Sequence, residues 1–181
     1  MAPTLVHLGV SRNSSIDLKQ LASVEGLKLE SIDISNCSSV TERDFYELVS
    51  AQTNLKKILL GGCRRVFAGL EGTSKMIFEC LSNVEEIGLN ELSMAHFETV
   101  GSMKSLKSLK IDSLDAPGKK IHAGFRRLDL KKLRRLEARF LSLDPNLLRD
   151  IFSQKLENIA YLDLSVPGKK TNLILSTWQH L

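Results

Sequence analysis

At 181 residues, with 43% hydrophobic and 25% charged side chains, the chain has the balance of a folded domain rather than a disordered segment. No run approaches the roughly 18 consecutive apolar residues that a membrane span requires, and Leu5–Val10 is too short, with no basic residues before it, for a signal peptide. Three cysteines without a CxxC spacing give no disulfide framework; with no leader they predict an intracellular protein, cytoplasmic or nuclear.

Taken in chain order, the sequence repeats one pattern. LVHLGVSRN places Leu5, Leu8 and Val10 at positions one, four and six, and LESIDISNC repeats this with Leu29, Ile32, Ile34 and Cys37. LKKILLGGC gives Leu55, Ile58, Leu60 and Cys63; VEEIGLNEL gives Val84, Ile87, Leu89 and Leu92; LKSLKIDSL gives Leu106, Leu109, Ile111 and Leu114. LRRLEARFL (Leu133, Leu136, Ala138, Leu141) and IAYLDLSVP (Ile159, Leu162, Leu164, Pro167) complete the series. The seven starts, 5, 29, 55, 84, 106, 133 and 159, are 24, 26, 29, 22, 27 and 26 residues apart. These are the period and spacing of leucine-rich repeats, L-x-x-L-x-L-x-x-N/C.

The intervening segments carry helix-start signals. SSIDLKQLAS pairs Ser14 with Asp17 before Leu18 and Leu21. TERDFYELVS opens with Thr41 and Asp44, a capping-box spacing, before Phe45, Leu48 and Val49. MIFECL puts Cys80 on a buried helical face, and DPNLLRDIF offers Asp144 as cap, Pro145 at the first helical position and a stripe of Leu147, Leu148 and Ile151. The predicted fold is α/β: one leucine-rich-repeat solenoid over 1–181, about seven irregular units, with a curved parallel sheet on the concave side and helices on the convex side. Because the first repeat begins at residue 5 and NLILSTWQHL ends the chain without a polar cap, the chain is expected to be part of a longer protein or covered by a partner at one end.

Cys37 and Cys63 occupy the same place in successive repeats, at the turn after the strand, where a small semi-polar side chain packs inside the arc and meets backbone groups. A metal or redox pair is the alternative, since adjacent strands lie about 4.8 Å apart, but no further Cys or His stands at ligand spacing. No metal, cofactor or catalytic residues are assigned: His7, His96, His122 and His180 are scattered, and GxSxG, HExxH and GxxxxGK[ST] do not occur. The chain is read as a non-enzyme.

Period-two alternation sends positions three, five and seven to the concave face. The candidate protein-binding residues there are Asp33, Lys57, Glu86, Lys110, Arg135, Glu137, Arg139, Tyr161 and Asp163, a mixed-charge strip that turns basic toward Arg135 and Arg139. Residues 118–139 hold nine Lys or Arg and two acids, a net +7 in a chain of net +4. This window reads as a solvated edge, with an acidic protein as the functional alternative and nucleic acid as a weaker one, since no recognition helix or RNA-binding aromatic pair accompanies it.

LESIDISNCSSVTERDF and LKKILLGGCRRV resemble the cysteine-containing repeats of F-box/leucine-rich-repeat proteins, the substrate receptors of cullin-based ubiquitin ligases; the other five repeats lack the cysteine. The resemblance implies a substrate-binding role, with a ubiquitination substrate, or a cullin adaptor reached through an F-box module outside this sequence, as partner. An F-box is not evident ahead of the repeats in this sequence, and the echo of one in LDPNLLRDIFSQKL and TWQHL reads better as a repeat helix, because IAYLDLS between them fits a strand. The expected function is therefore non-catalytic protein recognition. The alternatives are a scaffold or assembly factor with no link to ubiquitin, and nucleic-acid binding through residues 119–139.

Overall fold

The computed structural model describes residues 4–67, 71–90, 94–114, 125–126, 128–140 and 156–165. They fall in two compact units, one of residues 1–90 with 103–106, the other of residues 91–102 with 107–181.

In the first unit the strands β1 (His7–Gly9), β2 (Ser31–Asp33), β3 (Lys57–Leu59) and β4 (Glu86–Leu89) lie side by side in chain order, all parallel. Parallel neighbours need a crossover between them, and the helices α1 (Leu18–Ala22), α2 (Glu42–Ala51) and α3 (Glu71–Cys80) lie in those connections. The register follows the repeat position for position, with Leu8 opposite Ile32, Ile32 opposite Ile58, and Ile58 opposite Ile87. Positions one, four and six of the second to fourth repeats are buried, so each of these repeats contributes three aliphatic side chains to the core. The first repeat departs from this: Leu5 is 44% exposed, whereas its equivalents Leu29, Leu55 and Val84 are buried, because β1 has no preceding repeat in this unit to cover it.

Helix α2 starts as its sequence dictates. Thr41 Oγ1 accepts from the Asp44 backbone N–H, and the Asp44 carboxylate accepts from the Thr41 N–H and hydroxyl, closing the capping box. The helix then buries Phe45, Leu48 and Val49. Phe67 meets Phe45 edge-on at 6.4 Å and stacks on Phe78 at 5.3 Å. Two details differ from expectation. The cap of α1 is Asp17 rather than Ser14, its carboxylate accepting from the Lys19 and Gln20 N–H groups. Cys80, expected on a buried face, is half-buried; Ile77, Phe78 and Leu81 take the inward positions and leave its thiol 3.7 Å from the Ser50 hydroxyl.

In the second unit β5 (Ser108–Leu114), β6 (Arg135–Phe140) and β7 (Tyr161–Ser165) are again parallel neighbours in chain order. Leu109, Leu136 and Leu162 share one buried row, and Ile111, Ala138 and Leu164 the next. α4 (Met94–Ser102) belongs to this unit, and its Phe97 ring lies 5.3 Å from that of Phe125. A 3₁₀ turn at Leu130–Lys132 leads into β6. The expected helix at 144–151 and the terminal segment TWQHL lie outside the described residues.

Candidate recognition face

The strand–loop junctions are built alike in the first three repeats. At position eight of the first three repeats the backbone is left-handed: Arg12 at φ 61°, Asn36 at φ 60° and Gly62 at φ 78°. This is a conformation that glycine adopts freely and asparagine tolerates, while arginine does so at a cost. One residue later, Cys37 Sγ donates to the Val10 carbonyl at 3.2 Å and Cys63 Sγ to the Ile34 carbonyl at 2.9 Å. Both acceptors are position six of the preceding repeat. Burial pushes the Cys63 thiol up from its ordinary pKa, keeping it protonated as the donor this bond requires. The two cysteines thus act as rungs between repeats, and among the described residues no group of three or more His, Cys, Asp or Glu is arranged to hold a metal.

Other polar links went unread in the sequence. Gln52, buried at the end of α2, accepts from the Leu29 N–H at 2.9 Å. The asparagine just before the strand motif in SNVEEI and ENIAYL reaches back one repeat: Asn83 Nδ2 donates to the Thr53 carbonyl at 3.4 Å and Asn158 Nδ2 to the Lys131 carbonyl at 2.6 Å. Asn90 Oδ1 accepts from the Gly62 N–H at 3.2 Å. For Asn83 and Asn158 the signal was present as the recurring asparagine ahead of the aliphatic triplet.

In the first unit, Asp33, Lys57 and Glu86 are all partly exposed on strands β2 to β4. Lys57 and Glu86 stand opposite one another across β3 and β4 and form an ion pair at 2.8 Å. Just before the strands, Lys56 and Glu30 pair in the same way at 3.3 Å. The charges of this unit alternate from strand to strand and largely answer each other; Asp33 Oδ1 is used locally, accepting from the Ser35 N–H.

In the second unit Lys110, Glu137 and Asp163 share one cross-strand row. Lys110 lies 3.7 Å from Asp112, while Glu137 turns to Arg135, accepting from Nε at 2.6 Å. The Arg135 guanidinium also stacks over the Tyr161 ring, 4.1 Å from its centroid, joining opposite residues of β6 and β7. Arg139 is exposed at the far end of β6, opposite Ser165. Asp163 neighbours the like-charged Glu137, and its Oδ1 is shielded without a hydrogen-bond partner. Arg135, Glu137 and Tyr161 therefore form one touching cluster, with Asp163 beside it and Arg139 separate.

This arrangement of short parallel strands has a known counterpart. The chain is similar in structure to actin-binding site 2 (ABS2) of leiomodin-1, with a TM-score of 0.51 and 14% identity, over 78% of this chain and 84% of that one. The fold is leucine-rich-repeat-like. No family model matches the sequence, and no curated protein matches it significantly. No helix among the described residues is long and apolar enough to cross a membrane.

Proposed function

We propose that this leucine-rich-repeat-like chain is a non-catalytic protein-recognition module that holds a segment of another protein against the concave, open face of its strands. The observation that carries the reading is the Arg135–Glu137–Tyr161 cluster. An aromatic ring and a guanidinium are held in place on an exposed sheet face, with the arginine fixed by both a carboxylate and a π-face. Tyrosine and arginine dominate the energetics of protein interfaces, and side chains already ordered lose little entropy on binding. The similar solved structure is named as an actin-binding site, so a fold of this kind serving a protein partner has a precedent. The likeness of residues 29–45 and 55–66 to F-box/leucine-rich-repeat receptors makes a ubiquitination substrate the first partner class to test; a scaffold role unconnected with ubiquitin uses the same face.

The test is affinity capture from cell extract with the wild-type chain beside an Arg135→Glu, Arg139→Glu double variant, with folding checked by circular dichroism. One dominant protein captured by the wild type and lost in the variant is the expected result, and its identity separates receptor from scaffold. Identical capture by both, with both folded, removes the open face as the site.

A further inference from the structure

The edge of the second unit where the strands begin carries charge in a different pattern from the same edge of the first. In the first unit, position two of successive repeats runs Glu30, Lys56, Glu85, and the residues following are Ser31, Lys57, Glu86. Opposite charges alternate, and the pairs Lys56–Glu30 and Lys57–Glu86 neutralise one another. In the second unit the corresponding backbone row runs Lys107, Arg134, Ala160, joined by Arg134 and Arg135 N–H donating to the Lys107 carbonyl and Ala160 and Tyr161 N–H donating to the Arg134 carbonyl. Here cation follows cation, with no acid in the row.

The 3₁₀ turn before β6 adds Lys131 and Lys132, both exposed. Of the acids near this edge, Asp129 is engaged with Lys132 at 3.0 Å, and Glu157 has an interaction of its own. Among the described residues neither Lys131 nor Arg134 takes part in an ion pair, although both are exposed. Their backbones are nonetheless fixed, Lys131 by Asn158 Nδ2 on its carbonyl and Arg134 by the strand bonds on either side. Beside them stands Tyr161, 36% exposed, capped by Arg135.

We infer that this edge, Lys131 and Arg134 with the Arg135–Tyr161 pair, is the docking point for an acidic segment of the protein partner. The inference rests on the protein-recognition reading above and names the partner's chemistry. Charge complementarity selects an acidic ligand, since Lys131 and Arg134 lack the opposite charges that answer Lys56 and Lys57 in the first unit. Glu137, and Asp163 with its Oδ1 lacking a hydrogen-bond partner, lie on β6 and β7 just beyond this row, so a continuous polyphosphate running onto the sheet meets carboxylates, whereas a peptide can carry its acids at intervals. That favours protein over nucleic acid.

The test is fluorescence anisotropy with two labelled probes of equal charge, a peptide with two runs of three glutamates separated by glycine and serine and a single-stranded oligodeoxynucleotide, at about 50 and about 200 mM salt. Proteins compared are wild type, Lys131→Glu with Arg134→Glu, and a control carrying Lys19→Glu with Arg43→Glu on the helices of the first unit. We expect the peptide to bind wild type and the control alike, to weaken roughly tenfold in the Lys131, Arg134 variant, and to bind at least as tightly as the oligonucleotide. Equal peptide binding by all three proteins, no peptide binding at all, or a clear preference for the oligonucleotide each overturns the inference. These substitutions lie off the open face, so capture that still depends on Arg135 and Arg139 would leave the recognition reading standing while the acidic partner falls.

Discussion

Replacing Gln52 tests whether the repeats depend on single buried polar contacts as well as on their leucines. Gln52 is 3% exposed; its backbone N–H closes α2 on the Leu48 carbonyl, and its side-chain oxygen takes the Leu29 N–H at the entrance to β2. Gln52→Leu keeps the volume but removes the acceptor, leaving a buried N–H that water does not reach. Such a group costs about 1–3 kcal/mol, and for a chain of this length roughly 2–4 °C of melting temperature accompanies each kcal/mol. A central value of about 2 kcal/mol thus predicts a fall of about 4–8 °C. Urea denaturation followed by circular dichroism measures the free energy, and amide exchange reads the Leu29 N–H directly. Gln52→Glu sharpens the test through its pH dependence. A carboxyl buried here has its folded pKa raised above the unfolded value, so this variant is most stable below about pH 4 and loses stability as pH rises through the folded pKa. If Gln52→Leu changes stability by less than about 0.5 kcal/mol with an unchanged denaturant slope, the contact is not the constraint argued for and the aliphatic row alone sets the strand.

Five further outcomes follow from the same geometry. Thr41→Ala should cost about 1 kcal/mol through loss of the capping box, measured by urea denaturation. The Thr41 hydrogen bond, ahead of the nearby Lys19, holds the Asp44 carboxyl below its ordinary range, so its contribution is present above about pH 4 and fades as pH falls through the folded pKa; carboxyl NMR titration reads it, and Thr41→Ala should move the Asp44 pKa upward. Thiol labelling of the native protein should modify Cys80 first, with Cys37 and Cys63 protected until the fold opens; equal rates at all three would refute their burial. Gly62→Ala should destabilise by about 1–2 kcal/mol, because φ is positive and an added Cβ would meet the Asn36 side chain, while Arg12→Gly should stabilise by about 1 kcal/mol by relieving the same backbone conformation, both measurable by thermal melts.

The strands were legible because Leu29–Ile34, Leu55–Leu60 and their counterparts carry period two inside a longer period, and the two periods together leave one topology. The facing of Lys57, Glu86, Arg135 and Glu137 followed from that alternation alone. The stacking of Arg135 on Tyr161 was not readable, because it depends on the register between β6 and β7 and on which rotamer the arginine takes. Gln52 and Asn158 were missed for a different reason: polar residues between aliphatic runs read as solvent-facing unless one asks which backbone groups the turn leaves without partners. Cys80 was misplaced because a helical stripe fixes a face but not how much of its margin the neighbouring helix covers.

Five of the side-chain bonds described above run the same way along the chain: Cys37 to Val10, Cys63 to Ile34, Asn83 to Thr53, Asn90 to Gly62 and Asn158 to Lys131. In each the later repeat supplies the side chain and the earlier one only its main chain. Through these five bonds a unit recognises its predecessor's backbone, which does not depend on that predecessor's side chains, unlike the ion pairs Lys56–Glu30 and Lys57–Glu86 and the close approach of Gly62 to Asn36. At these five contacts, substitutions on the earlier unit force no matching change in the later one, so long as the later one keeps its own reaching residue. The arrangement also gives the array a polarity under truncation: deleting units from the C-terminal end uncovers main-chain groups that water can satisfy, whereas deleting them from the N-terminal end strips the buried thiols of Cys37 and Cys63 of their acceptors.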